Sequence, residues 1–349
     1  MITIDGSHGE GGGQIIRTAI ALSMIQRQPV EIQNIRARRP KPGLSHQHLA
    51  CVKAAASICS AHVEGAELGA GRLVFTPNEI MPGRYSFDIR TAGSVSLVLQ
   101  TLLIPLALGR EISYITISGG THVPWSPSIH YLNLVFRPVL LHMGVKFTLV
   151  LKKWGWYPKG GGVVVVTVYP AKGLGQFSAL NCNIEKTEGI TARAISAISN
   201  LPRHVLQRQS QRIRDIFDKE RISVELEEIE TEAYCPGSIA FCYLAGSGRH
   251  GGYSGLGERG KPAEIVAEEA AKGLLGFIRS GASVDEHLAD QLLLPSVLAE
   301  GESAWTVSAQ TPHLATNAWV TERFGVGSIE FYEDKSGLIV VKVAGSKGA

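Results

Sequence analysis

The feature that most limits how this chain folds is a pattern that recurs three times. An apolar helix leads into a strand, a short loop closed by proline or Pro-Gly, and a second helix. The first pass runs Gly12–Ile25, Val30–Ile35 and Lys41-Pro42-Gly43 into Ser45–Ser60; the second runs Ala92–Leu108, Ile112–Ile117 and Trp125-Ser126-Pro127 into Ser128–Met143. The third runs Asp285–Leu298, Ala304–Ser308 and Thr311-Pro312 into His313–Phe324. Proline suits a helix start because its missing N–H has no partner to lose there. Each unit closes in strand-like segments, at Leu73–Phe75, Val163–Tyr169 and Ile329–Val343.

The prolines also locate an insertion. Pro42 to Pro127 is 85 positions and Pro127 to Pro312 is 185, so the third unit comes 100 residues late, about one small domain. The expected organisation is a large domain of residues 1–183 and 281–349, with a smaller α/β domain of 184–280 inserted. The insert reads as a strand (Ile190–Ile198), a helix (Val205–Lys219), strands at Ser223–Ile229 and Ser238–Leu244, and a helix at Pro262–Ile278. Between the last two, Gly246–Gly260 reads as a mobile glycine-rich loop. The fold class is therefore α/β (α+β), with three strand-helix-strand-helix-strand-strand units forming the large domain.

A 44% hydrophobic and 19% charged composition is that of an ordinary globular protein, and the net charge of +3 excludes a polybasic tail. No apolar run approaches the ~20 residues a membrane helix needs. The strand-like Ile2-Thr3-Ile4 start leaves no room for a signal peptide. Five cysteines without a CxxC pair suggest a reduced cytoplasmic protein without structural zinc.

The chemistry gathers at helix starts. Gly9-Glu10-Gly11-Gly12-Gly13-Gln14 runs directly into Ile15–Leu22, a loop-to-helix junction whose N–H groups suit an anion. Glu10 would repel a bare phosphate, which implies a divalent cation bridging it to a nucleotide. The spacing is neither a Walker loop nor a dinucleotide fingerprint, and the glycines also suit a plain tight turn. Arg36, Arg38, Arg39 and Lys41 crowd the loop before the first second-helix, which opens Ser45-His46-Gln47-His48. His122, Pro127 and His130 sit at the second such junction, and His313 directly follows Pro312 at the third. A helix N-terminus disfavours imidazolium, so His313 is either a neutral nucleophile for phosphorus or simply a cap or core residue.

Gly9–Arg17, Ile35–His48, Gly155-Trp156-Tyr157-Pro158-Lys159-Gly160-Gly161-Gly162, His287–Gln291 and Pro312-His313-Leu314 together resemble the RNA 3′-terminal phosphate cyclase family over almost the whole chain. The resemblance implies that His313 attacks the α-phosphorus of ATP to give an enzyme–(histidinyl)-AMP. The AMP would pass to an RNA 3′-phosphate, giving RNA-(3′)pp(5′)A, and the 2′-hydroxyl would close a 2′,3′-cyclic phosphate. It further implies nucleotide contacts from Gln100, Pro127, His287, Leu288, Ala289, Asp290 and Gln291, with His287 standing where the family commonly has tyrosine. Asp290 would orient His313 or touch the nucleotide, or else be a helix-surface carboxylate. Glu10 would hold Mg²⁺ or Mn²⁺, and Arg17, Arg36, Arg39, Gln47 and His48 the RNA terminal phosphates. Arg38, His46, His122 and His130 receive no role, and Gly160–Gly162 serve backbone packing. Arg203, His204, Arg208, Arg212 and Arg214 of the insert read as a solvated helix face, with RNA backbone contact as the other reading. Two further readings are a non-catalytic cyclase-like protein of RNA processing or ribosome assembly, which would lack the histidine, and a remote enolpyruvyl-transferase likeness. A homodimer would cover the edges that repeated sheets leave.

Overall fold

Three of the four sheets share one connectivity in this computed structural model, which describes residues 1–180, 190–244 and 248–346. The first unit contains β1 (Ile2–Asp5), α1 (Gly13–Gln26), β2 (Val30–Gln33), α2 (His46–Cys59), β3 (His62–Glu64) and β4 (Leu73–Thr76). Its strands lie in the order β1-β2-β4-β3, with only the first pair parallel. The second unit contains β5 (Arg84–Asp88), α3 (Val95–Ala107), β6 (Ser113–Gly119), α4 (Ile129–Tyr131), α5 (Arg137–His142), β7 (Phe147–Lys153) and β8 (Gly162–Val168). The order β5-β6-β8-β7 and the pairing senses repeat those of the first.

The third unit opens with β9 (Ser178–Ala179) and is then interrupted by β10 (Thr191–Ser199), α6 (Arg203–Lys219), β11 (Ser223–Thr231), β12 (Gly237–Leu244), β13 (Gly251–Leu256) and α7 (Ala263–Ser280). It resumes with α8 (Glu286–Gln291), α9 (Leu293–Val297), β14 (Glu302–Val307), α10 (Pro312–Arg323), β15 (Ser328–Glu333) and β16 (Ile339–Ala344), in the order β9-β14-β16-β15. The interrupting segment forms a fourth sheet, β11-β10-β12-β13.

Two helices expected as single rods are broken. The second helix of unit two passes through a π turn at Leu132–Phe136, where the Arg137 N–H reaches Leu132 O, five residues back. Pro138 follows and has no N–H to offer the ordinary ladder. The 285–298 segment divides at Leu292 into α8 and α9.

Helix α1 is buried on nearly every face and packs against α2, α3 and α10. An apolar-all-round helix of this kind belongs at the centre of a core. Strands such as β6 and β8 alternate buried and more open positions, so each of these sheets lays one face on helices. Cys51 and Cys59 are buried in the same core, while Cys182 lies outside the described residues.

The inserted sheet is covered on both faces. Ala192, Ala194, Ala240 and Cys242 pack with α6 and α7 in a second cluster, whereas Ile195, Ala197, Ile239 and Phe241 belong to the main core. The period of two along β10 and β12 thus feeds two cores at once. The segment expected as a mobile Gly246–Gly260 loop holds β13 instead, hydrogen-bonded along β12. Its glycines answer to packing: a Cβ on Gly255 would come within 1.9 Å of Val266 O, and one on Gly252 within 2.8 Å of the Phe241 ring. Residues 245–247 of that loop lie outside the described residues. No helix among the described residues is long and apolar enough to cross a membrane.

Phe241 joins the insert to the main body, its ring beside those of His130 and Tyr131. Phe241→Ala is expected to cost about 3–5 kcal/mol of stability by urea unfolding; a loss below about 1 kcal/mol would show that this contact does not bind the two parts together.

Candidate active site

The glycine turn and the start of α10 are brought into contact by backbone shape. Gly9 (φ +53°) and Gly11 (φ +60°) adopt the left-handed region, and a Cβ on Gly9 would lie 2.6 Å from Thr316 Oγ1 on α10. α1 and α10 are further tied by Thr18 Oγ1, which donates to Asn317 Oδ1 at 2.7 Å. Thr311 caps α10, accepting from Leu314 N, and Pro312 fills its first position. His313 then projects into a cleft of about 500 Å³ between α1, α3, α8 and β13.

The His313 ring is held from both sides. Nδ1 faces Gln14 Oε1 in a short contact, and Nε2 lies 2.9 Å from Glu10 Oε2. The other Glu10 oxygen accepts from Arg39 Nη2 at 2.5 Å. Burial lowers the His313 pKa, Glu10 opposes that, and the charges of Arg17, His287 and Arg39 reinforce it. Burial, rather than the helix dipole, is the chief cause of its bias towards the neutral form.

Arg17 lines the cleft one turn after Gln14 and makes no hydrogen bond or ion pair among the described residues. Burial lowers its pKa, with Cys51, Asp290 and Glu10 pulling the other way. A guanidinium stays charged, so this is a partly desolvated cation without a partner, and an entering anion would neutralise it. Asp290 lies opposite: burial raises its carboxyl to about 7 against the pull of His287 and Arg17, and Gln14 hydrogen-bonds to it. Gln14 thus lies between Asp290 and His313. Gln14 escaped the sequence reading, although its position three residues before Arg17 places both on one helix face.

Gln100, Pro127, His287 and Gln291 also line the cleft, with Gln100 Nε2 donating to Gln291 Oε1 at 2.7 Å. Leu288 and Ala289 do not: both are wholly buried on the core side of α8. Tyr131, Tyr253 and the exposed Trp125 are aromatic members of the lining that were not anticipated. Asp285, also missed, knots this end together. Its buried carboxylate accepts from His287 N, Leu288 N, Tyr131 Oη and, across to β13, Gly252 N. Its position just before α8 was the available signal.

The remaining phosphate candidates divide. Arg36 and Arg39 stand close enough for Arg39 to depress Arg36 after burial does, and Arg36 Nη1 donates to Gly43 O at 3.0 Å. Gln47 is turned away, its amide clasping Ser94 N and Ser94 O. His48 lies buried under the start of α1, where a Cβ on Gly13 would fall 2.0 Å from its Nε2, and Nδ1 contacts Ser45 Oγ at 3.0 Å. Burial, Arg17 and Arg36 hold it down to about 3, so it is a neutral packing group rather than a cation. The described residues contain no group of three or more His, Cys, Asp or Glu side chains able to hold a metal, so any cation at Glu10 would need further ligands from a bound nucleotide. On α6, Arg208 and Arg212 are paired with Glu264 and Glu268 of α7, and Arg214 with Glu228 of β11. His122 and His130 sit in a buried cluster with Trp154 and Trp156.

A family model described as RNA 3′-terminal phosphate cyclase matches residues 8–331. A protein of that name from Methylococcus capsulatus is 44% identical over 354 residues, covering 99% of this chain and 97% of its own. Its namesake from Pyrobaculum aerophilum is 44% identical over 326 residues, covering 93% and 92%. The solved enolpyruvyl transferase NikO from Streptomyces tendae covers 49% of this chain and 33% of its own, at 16% identity and a TM-score of 0.28.

His48 makes the stability of this region pH-dependent. The unfolded imidazole binds a proton below about 6.5 and the folded one only near about 3, so its contribution is present above pH 6.5 and declines as pH falls. Asp285 and Asp290, raised by burial, lean the other way, so the effect is read as a difference. Urea midpoints of wild type and His48→Gln should converge on acidification from pH 7 to 4; parallel curves would contradict a neutral buried His48.

Proposed function

The chain belongs to the RNA 3′-terminal phosphate cyclase family, and we propose that it uses ATP to convert an RNA 3′-phosphate into a 2′,3′-cyclic phosphate. The observation that carries this reading is His313 facing a cleft that also holds Arg17, which has no hydrogen bond or ion pair among the described residues. A scaffold retained only for binding has no need of an imidazole biased neutral beside an anion site.

In the first step a His313 ring nitrogen attacks the α-phosphorus of ATP, a P–N bond forms, and the bond to the β-phosphate oxygen breaks to release pyrophosphate. Gln14, backed by Asp290, orients the ring through Nδ1, leaving Nε2 as the attacking atom once Glu10 turns to the nucleotide. Arg17 and Arg39 stand where the phosphate charge would lie. The adenine would lie between His287 and Pro127. Glu10, together with nucleotide phosphates, would hold Mg²⁺ or Mn²⁺, which supplies charge neutralisation when bound.

In the second step an oxygen of the RNA 3′-phosphate attacks the same phosphorus, and the P–N bond breaks to return neutral histidine. The 3′-phosphate, otherwise a poor electrophile, now carries AMP as a leaving group. The adjacent 2′-hydroxyl then attacks the 3′-phosphorus, loses its proton to solvent and expels AMP. Its proximity supplies most of what this step needs.

Incubation with α-labelled ATP and Mg²⁺ or Mn²⁺ should give an adduct stable to alkali and cleaved by acid, as a phosphoramidate is. His313→Ala should lower labelling and cyclisation by about a thousandfold or more; label persisting in that variant would refute the assignment. Glu10→Ala should slow labelling with partial recovery in excess metal, and wild-type rates at every metal concentration would remove Glu10 from cation binding.

A further inference from the structure

The Trp156–Gly162 turn carries side chains that the chemistry above leaves unused. Tyr157 is 65% exposed and Tyr234 72% exposed, unusual for large aromatic side chains on a surface that also carries charge. They are not on floppy tips. Ala233 bridges to Trp154, and its backbone N–H and C=O are both held by the Asn200 amide, at 3.2 and 2.6 Å. Gly161 abuts Tyr234, where an added Cβ would lie 3.1 Å from Tyr234 Cβ. The Lys159 ammonium stands 5.1 Å from the Tyr234 ring centroid. Two aromatic rings and a cation are thus presented by braced backbone.

This platform is tied by contacts to the start of α2, the helix that follows the arginine loop. A Cβ on Gly160 would lie 2.7 Å from Thr91 O, so the turn rests on the 90–94 loop, which also displays Arg90. Ser94, at the end of that loop, is clasped by Gln47. Gln47 in turn lies in the first turn of α2, the helix that follows the loop of Arg36 and Arg39. Contacts therefore lead from Tyr234 through the turn and the 90–94 loop to Gln47, eight residues after Arg39 in the chain. Aromatic faces interleaved with cations suit single-stranded nucleic acid, whose bases stack while its phosphates are neutralised.

We propose that Tyr157, Lys159 and Tyr234 form a stacking platform for the nucleotides lying 5′ of the RNA terminal phosphate. The inference rests on the RNA substrate proposed above, and it extends that site outward by naming where the chain runs.

The test measures binding, so it does not depend on turnover. A fluorescent, 3′-phosphorylated RNA of about a dozen nucleotides and a 3′-phosphorylated dinucleotide are titrated against wild type, Tyr157→Ala, Tyr234→Ala, Tyr234→Phe and Lys159→Ala. The long RNA should bind about fivefold or more weakly to either alanine variant of tyrosine, with Tyr234→Phe near wild type and the dinucleotide unchanged throughout. Lys159→Ala should reduce the salt slope by about 0.7. Unchanged affinity for the long RNA, or equal losses for both lengths, would overturn the platform. A wild type that shows this length dependence yet forms no cyclic phosphate would sink the cyclase reading and leave the platform standing.

Discussion

Everything functional in this protein depends on two helix N-termini meeting, that of α1 and that of α10. Only glycine accommodates the turn that brings them together, because Thr316 fills the space beside Gly9 and His48 fills the space beside Gly13. The result places Glu10 and Gln14, four residues apart in the chain, on opposite edges of one imidazole nearly 300 positions away. An arrangement that relies on backbone approach is intolerant of any side chain at those glycines. It is correspondingly exact about where the ring lies.

A second constraint closes the cleft from the other side. Asp285 spends its carboxylate on donors from α8, from Tyr131 of the second unit and from β13 of the insert. One buried acceptor thereby fixes three elements that share no sequence neighbourhood. Burial raises its pKa to about 6, and the donors around it oppose that rise. The inserted sheet is held over one end of the cleft by this group and by Phe241, rather than by its covalent connections alone.

The parts that were legible in the sequence were those governed by local rules. Proline spacing pointed to a recurrent order of elements, and three of the four sheets do share one strand order. His313, Arg17 and Glu10 were identifiable from their motifs and do converge. Misreadings came where one residue type serves two physical ends. Gln47 and His48 stand at a helix start, a position that suits an anion ligand and a packing group equally, and only the fold shows them turned to Ser94 and Gly13. The glycines of β13 read as a loop because composition does not reveal that Phe241 and α7 crowd the strand. The arginines of α6 find their acids on α7 and β11, beyond any local window. Gln14 and Asp285 matter through partners distant in the chain, which no spacing rule encodes.

The three units of like connectivity present three corresponding second-helix starts, and their contents differ. The first holds a buried, neutral His48 near Arg17 and Arg36, the second sets Pro127 and Ser128 in the cleft wall, and the third carries His313. Were the three alike, an entering ligand would find competing berths and dock in several senses. Their divergence breaks that degeneracy: of the three starts, only the third sets an imidazole in the cleft, so the cleft presents one sense to whatever enters it.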